Sequence, residues 1–446
     1  MDVARNGSDC EITEEVCDEP SSDLLDQRNG GIGLFKSIFN FSTLIIGGGL
    51  LGWPSTFFLC GWLGGSICLA FMCLFAQSTM VVMVAIGMHL GTISYEETCC
   101  AVWGRRGYYA VAITCLLIDF GVIVSYMVAL GDIATPLVHE FVPSSTNIVD
   151  LQKWVKVAFS LVMLPVAYSR NFGKLPGWSY VQYAFILFSS FAMLAMSFNL
   201  STANFNRDHI KPEGVPLKTD TTEIKAGLWP SLGVLAFTYV NHDSVFTIVQ
   251  SLARPSVRRW TIVCRTSMWS TVLLTLAVGL PMYMVFGVKT SSDIVDNFPR
   301  SPVMITVRFC LVCVLAMTCL YLQQVGRKYL HSIIMPFVRR RALTPSESYN
   351  MSIPELVVFT TFFFAAAVVT ATVTEDLGLP MALTGVFANS LAAFVIPPCL
   401  LLTMASHSDP VGYSKLNLYY YGFILLFGIV SCTLGVYSTL QHYGVF

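Results

Sequence analysis

Asn241, His242 and Asp243 stand side by side inside the run WPSLGVLAFTYVNHDSVFTIVQ, where most neighbours are apolar. Their types suit different tasks. An amide can satisfy stray backbone groups, an imidazole titrates near neutrality and can carry or sense a proton, and a carboxylate can hold a cation or a proton. A charge facing lipid costs several kcal/mol, so these three residues must face protein or a cavity. A second stretch, Ser37 to Pro54, reads SIFNFSTLIIGGGLLGWP and carries Gly47, Gly48 and Gly49 at its middle. Each glycine costs a helix about 1 kcal/mol relative to alanine. A broken helix in lipid also frees backbone groups that hydrocarbon cannot satisfy. Both stretches therefore read as interrupted membrane helices whose exposed backbone lines a cavity or meets a ligand.

Two such interruptions make a paired site. The N-terminus of a half-helix favours an anionic group such as a carboxylate. Freed carbonyls take an ammonium group or a cation, so a zwitterionic amino acid suits both ends. In this reading Gly47, Gly48 and Gly49 meet the substrate from one side, and Phe237, Tyr239, Asn241 and His242 from the other. Asp243 would cap the half-helix that follows it, and Thr238 and Asn241 would satisfy freed backbone. Phe237 and Tyr239 wall a side-chain pocket or pack the core. Asp119 lies mid-span in LLIDFGVIVSY, where it neutralises a cation, pairs with a basic residue or makes a structural polar contact. Asp132 lies nearer a membrane edge, where a helix-end role is expected.

The elements that position these residues follow from composition. The chain has 446 residues, 54% hydrophobic and 12% charged, with a mean hydropathy of +0.65. Soluble chains carry about 25% charged residues, so this is an all-α polytopic membrane protein and not an enzyme. The formal net charge of −1 gives no footing for a nucleic-acid partner. With about 20 apolar residues per crossing, eleven spans are expected, at 35–58, 62–89, 107–137, 154–170, 178–200, 227–252, 261–287, 302–331, 354–374, 380–404 and 416–440. Spans one and six are the interrupted ones, four others lie between them, and two five-helix halves that each begin with a broken helix is the inverted-repeat plan of many secondary transporters. The halves would run over 34–200 and 227–405, with 416–440 as an extra helix. Residues 1–33 hold nine acidic residues against Arg5 and Arg28 and read as a disordered tail. Within it Asp23-Leu24-Leu25 is close to an acidic dileucine sorting pattern. Lys and Arg in short loops, including Arg339, Arg340 and Arg341, place the N-terminus in the cytosol. The loop near 202–225 then lies outside; beside it Asn199-Leu200-Ser201 fits a glycosylation acceptor pattern but sits at a span end, too near the bilayer for modification to be expected. Cys310 and Cys313 make a CxxC spacing without a second pair, so no metal site is expected there.

The residues also carry a resemblance. Phe39-Asn40-Phe41-Ser42 with the glycines up to Gly52, then Tyr95, Trp103-Gly104, Ser125-Tyr126 and Gly131-Asp132, resemble the first three spans of amino acid/auxin permeases. The nearest pattern is that of sodium-coupled neutral amino acid transporters. Leu164-Pro165, Arg170-Asn171, Lys174-Leu175, Ala236-Phe237, His242, Ser244, Leu252, Pro255, Arg259, Phe286-Gly287, Asn297, Arg308-Phe309 and Arg327 continue it, over about residues 34 to 405. The resemblance implies a leucine-transporter-type fold and a secondary active transporter, coupled to Na+ or H+ and working by alternating access. Its implied cation position uses Ser42, Thr43 and Thr318, with sodium at Thr43 and Thr318. A hydroxyl oxygen suits this hard cation, although a lone membrane Thr by default bonds back to its own helix. The family pair at Ser42-Thr43 is typically Ser-Asn, and Asn241-His242-Asp243 replaces the usual Cys-His-Thr or Cys-His-His. Asp243, with Asp119, therefore joins the candidate cation-coupling residues, selecting a cationic substrate or carrying a proton. A neutral amino acid, a lipid bilayer, a monomer, and a plasma or endolysosomal membrane complete the expectation. The other reading is an amino-acid sensor signalling through the acidic tail; a channel, with a continuous polar stripe, is a third.

Overall fold

The structure is a computed structural model that describes residues 31–138, 147–169, 178–202, 221–339, 351–407 and 415–445. The acidic tail, most of the 202–225 loop, Arg170 to Lys174, and Arg340-Arg341 lie outside the described residues. So do the side chains of Asn199 to Ser201. Among the described residues the fold is helical, with one isolated parallel bridge between Ile32 and Leu252. Helices α1 (Leu34–Ile46), α2 (Gly49–Leu90), α3 (Tyr95–Val138), α4 (Ile148–Ala167), α5 (Trp178–Thr202), α6 (Thr221–Tyr239) and α7 (Val245–Ser251) make the first part. Then come α8 (Val257–Leu274), α9 (Leu280–Phe286), α10 (Pro302–Arg339), α11 (Ile353–Val373), α12 (Gly378–Thr384), α13 (Ile396–His407), α14 (Lys415–Val430) and α15 (Val436–His442).

Among the described residues, eight helical segments are long and apolar enough to cross a membrane. The count is below the eleven expected spans for physical reasons. Span one is split into α1, 13 residues long, and the start of α2; span six is split into α6 and α7. The fourth, α4, carries Asp150, Lys153 and Lys156 within 20 residues. The segment before α1 is tied to the end of α7: Ile32 N donates to the Ser251 carbonyl at 2.8 Å, and Ala253 N to the Ile32 carbonyl at 2.9 Å.

Two glycines fold long helices back on themselves. Gly61 inside α2 has φ 71° and ψ 165°, a conformation that glycine adopts at no steric cost. A methyl on Gly65 would lie 3.3 Å from the Phe57 α-carbon, whereas eight residues of straight helix span about 12 Å. The chain therefore turns sharply there. Gly104 in α3, with φ 65°, does the same, bringing Gly107 back against Cys99.

The first part of α2 packs along α6. Gly49 faces Thr238, Gly52 faces Val234, Ser231 donates to the Thr56 carbonyl at 3.3 Å, and Cys60 meets the Gly227 carbonyl at 3.8 Å. Positions rise on one helix as they fall on the other, so the two are antiparallel. Small residues allow this approach, as membrane interfaces favour. Gly385, just beyond α12, lies against the Gly233 backbone of α6. Helices α3 and α10 also run antiparallel, with Arg308 reaching Ile133 and Gly326 against Asp119.

Buried apolar side chains fall into two large cores. One gathers the middle of α3 with α9, α10 and α11; the other gathers the later part of α2 with α8, α13 and α14. Helices α1, α2 and α6 contribute to both. Phe191, Phe309, Val358, Phe362, Val373, Phe423 and Leu426 stand outward and exposed, the arrangement a lipid-facing surface requires.

Candidate functional site

The two breaks meet at one cavity. It is lined by Leu44, Ile45 and Gly49 at the first break, and by Phe237, Val240, Asn241, Asp243 and Ser244 at the second. Ile118, Val122 and Tyr126 of α3 and Thr318 and Leu322 of α10 close it. It lies along the seam of the two cores: Ile118, Val122, Tyr126, Phe237 and Leu322 belong to one, Ile45 and Val240 to the other. Its volume is about 30 Å³, measured by where the centre of a water can go. That admits about two waters, so a larger solute requires the seam to open.

At the first break Gly47 has φ 33° and ψ −128°, a region closed to other residues without strain. Gly48 N donates to the Tyr126 hydroxyl at 3.0 Å. This side chain supplies the partner that the broken helix lacks. The N-terminus of α2 starts at Gly49 with no side-chain cap, leaving amide donors at the cavity edge. Gly47 and Gly48 sit behind Gly49 against the Tyr126 ring.

At the second break α6 ends at Tyr239 and α7 begins at Val245. Asn241 Nδ2 donates to the Thr238 carbonyl at 3.1 Å, and Asn389 Nδ2 to the Ala236 carbonyl at 2.9 Å. Asn241 therefore does satisfy freed backbone, whereas the Thr238 hydroxyl bonds within its own helix to Val234 at 3.1 Å. The N-cap residue of α7 is Ser244, whose own side chain makes no cap. The Asp243 carboxylate accepts from the Ser244 hydroxyl at 2.8 Å and from the backbone N–H groups of Asp243 and Ser244, as a residue capping the start of the half-helix does, and the residue also borders the cavity.

Three consecutive residues cannot all face one cavity, and His242 turns the other way. Its Nε2 lies 2.9 Å from the Thr79 hydroxyl of α2. That hydroxyl has one proton and two carbonyl partners, Phe75 at 3.0 Å and Ala76 at 3.1 Å. Nε2 is therefore the donor, and Nδ1 keeps its lone pair with no hydrogen-bond partner among the described residues. Tyr239 is also turned away, its hydroxyl 2.9 Å from that of Thr275. Phe237 stacks edge-on to Tyr126 across the cavity, ring centroids 6.2 Å apart.

The hydroxyls considered for a cation bond back to their helices. Thr43 donates to the Phe39 carbonyl at 2.9 Å and Thr318 to Val314 at 2.9 Å. Thr318 also accepts from Gln182 Nε2 at 3.2 Å. Lone pairs remain on both oxygens; Thr318 borders the cavity, while Ser42 and Thr43 are buried in the last turns of α1 beside it. Asp119 is fully buried on α3, next to the cavity-lining Ile118. Tyr126 and Asn389 were not singled out as site residues in the sequence. The readable signal for Tyr126 was spacing, since 118, 122 and 126 recur every fourth residue on one helix face.

A second polar cluster forms where the loop between α9 and α10 meets Asp132 of α3. Carboxylate oxygens of Asp132, Asp293 and Asp296 come within 4.8 Å of one another. Asp293 Oδ1 accepts from Val295 N at 2.9 Å. Arg308 donates to the carbonyls of Ile133 at 3.4 Å and Val295 at 3.2 Å. Burial, then the charges of Asp296 and Asp132, push the Asp293 carboxyl well above the carboxylate range, against Arg308. Burial also raises Asp296, with Asp376 adding and Arg308 opposing. These acids hold their protons more tightly in the docked loop than in a free one. Docking is thus strongest below the ordinary carboxylate range and weakens as pH rises from there towards the raised values. Amide exchange across 290–297, corrected for its intrinsic rate, is expected to be better protected at pH 5 than at pH 8. Equal or reversed protection would contradict this.

Comparison with known proteins agrees with this architecture. Residues 30–441 match the family model described as transmembrane amino acid transporter protein. A Danio rerio protein provisionally named sodium-coupled neutral amino acid transporter 11 is 23% identical over 397 residues, covering 86% of this chain and 82% of its own. Vacuolar amino acid transporter 2 of Saccharomyces cerevisiae is 23% identical over 411 residues, covering 89% and 81%. With two helix breaks meeting at one cavity and a family match spanning nearly its whole length, the chain belongs to the transmembrane amino acid transporter family.

Proposed function

We propose that the protein is a secondary active transporter of neutral amino acids, coupled to a cation gradient. The observation that carries the reading is the convergence of both helix breaks on one cavity. The uncapped N-terminus of α2 would receive the substrate carboxylate. Asp243, which also borders the cavity, would receive the ammonium group in a charge-assisted hydrogen bond. Phe237, Ile118 and Val122 would hold the side chain. Two five-helix repeats, 34–200 and 227–405, with 416–440 as an eleventh span, organise the site. The seam between the two cores supports alternating access, one core rocking against the other about the cavity. Thr43 and Thr318 are the candidate sodium ligands, and Asp119 and Asp243 the candidate proton carriers. The yeast relative's name fits a vacuolar or lysosomal membrane.

The test is uptake of labelled alanine, glutamine, leucine and arginine into proteoliposomes under a sodium gradient and, separately, under a pH gradient. Uptake of a neutral amino acid under at least one gradient is expected; none under either would overturn the reading. Asp243→Asn removes the charge facing the ammonium. Such bonds to charged groups contribute about 1.5–3 kcal/mol, so KM is expected to rise at least about tenfold. An unchanged KM would remove Asp243 from the substrate.

A further inference from the structure

Asp119 stands at the middle of α3 with 0% of its surface exposed. Neither carboxyl oxygen has a hydrogen-bond partner among the described residues. Its β-carbon lies 3.2 Å from where a methyl on Gly326 of α10 would sit, with the Phe363 ring of α11 beside that glycine. Basic groups nearby are directed elsewhere. Arg327, next to Gly326, donates to the carbonyls of Ala167 and Ser169 and to the Thr360 hydroxyl. A carboxylate so placed cannot remain ionised without a partner, so the group holds a proton in this conformation.

The acid is not isolated from the cavity. Ile118, its chain neighbour, and Val122 line the cavity wall. Asp243, from the second break, lies within electrostatic reach of it. One turn earlier on α3, Cys115 lies beside Tyr329 of α10. Tyr329 in turn lies within electrostatic reach of Asp119, Asp243 and Glu96. Glu96 is 3.9 Å from Lys328 at the start of α3. Asp243 at the cavity, Asp119, Cys115 and Tyr329 along α3 and α10, and Glu96 near the start of α3 are thus titratable groups within electrostatic reach of one another.

We propose that Asp119 is the proton carrier of the transport cycle, taking a proton from water when the seam is open on one side and releasing it when the seam is open on the other. The proposal rests on the transporter reading above and names the ion that drives it. One proton binds one carboxylate, and nothing else is exchanged. The gate is the seam itself: Asp119 sits on the α3 wall of one core, and its charged neighbour sits on the second break. Opening the seam would admit water to the carboxyl and permit ionisation.

The test uses the purified full-length protein in proteoliposomes, with labelled alanine, glutamine, leucine and arginine and a trapped pH indicator. Wild type is expected to accumulate substrate under an inward proton gradient without sodium, acidifying the lumen as it does so. Asp119→Asn is expected to lose at least tenfold of that accumulation and the acidification. Counterflow exchange at equal pH on both sides needs no net proton movement and remains measurable. Asp119→Glu, which retains the acid on a longer arm, is expected to keep proton-driven uptake with a displaced pH profile. Three results would overturn the proposal: exchange in wild type with no response to the proton gradient, full proton-driven accumulation in Asp119→Asn, or an unaltered pH profile in Asp119→Glu. Absence of any exchange in wild type would instead sink the transporter reading.

Discussion

Gly48→Ala is expected to cut amino-acid uptake by at least about tenfold, equivalent to about 1.4 kcal/mol of lost function. The reason is local. A β-carbon there would overlap the Tyr126 ring, reaching 2.9 Å from its Cδ1 and 3.0 Å from its Cζ. The ring would have to swing away, breaking the hydrogen bond from Gly48 N at 3.0 Å and moving a wall of the cavity. A buried amide left without its acceptor costs about 1–3 kcal/mol. Tyr126→Ala in the same background relieves the overlap without restoring the bond, so it should not rescue uptake. Initial rates of labelled uptake, normalised to protein in the membrane, check this. Wild-type rates in Gly48→Ala would show that the first break takes no part in transport.

Gly385→Ala is expected to have the largest effect on the fold itself. Its methyl would overlap the Gly233 carbonyl oxygen and lie 2.5 Å from the carbonyl carbon. Backbone cannot rotate aside as a side chain can, so α6 and the helix after α12 must separate. Overpacking of this kind costs about 1–3 kcal/mol. Because α6 carries the second break, the change should also loosen the cavity. Gly422→Ala is the control. Nothing lies within 4 Å of a methyl there, so it should be neutral. A detergent melting curve for Gly385→Ala within a degree of wild type would contradict the packing argument.

Much of this architecture is legible in the chain, for identifiable reasons. Three adjacent glycines and three adjacent polar residues in apolar runs can only be breaks, because lipid leaves free backbone groups no other partner. The turn between spans one and two follows from Gly61, which lies between the two apolar runs. What the sequence does not specify is the direction each side chain takes. His242 is as polar as Asn241 and Asp243, but the Thr79 hydroxyl on α2 draws it out of the cavity. Tyr239 is drawn out by Thr275. Both partners are far away in the chain, on helices that propensity cannot orient. Tyr126 shows the converse, since its hydroxyl completes a break 78 residues away. The Thr43 and Thr318 back-bonds follow the local default, and Thr318 borders the cavity because α10 lines it together with Leu44 and Ile45 of α1.

The central claim is that the two breaks together hold the amino acid. The most direct measurement is a structure of the protein determined with a transported amino acid bound. The account predicts ligand density between Gly49 and Asn241, its carboxylate at the first amides of α2 and its ammonium group against Asp243, with the seam wider than in the present 30 Å³ cavity. Density at another place, with the breaks unchanged and unoccupied under saturating substrate, would contradict it.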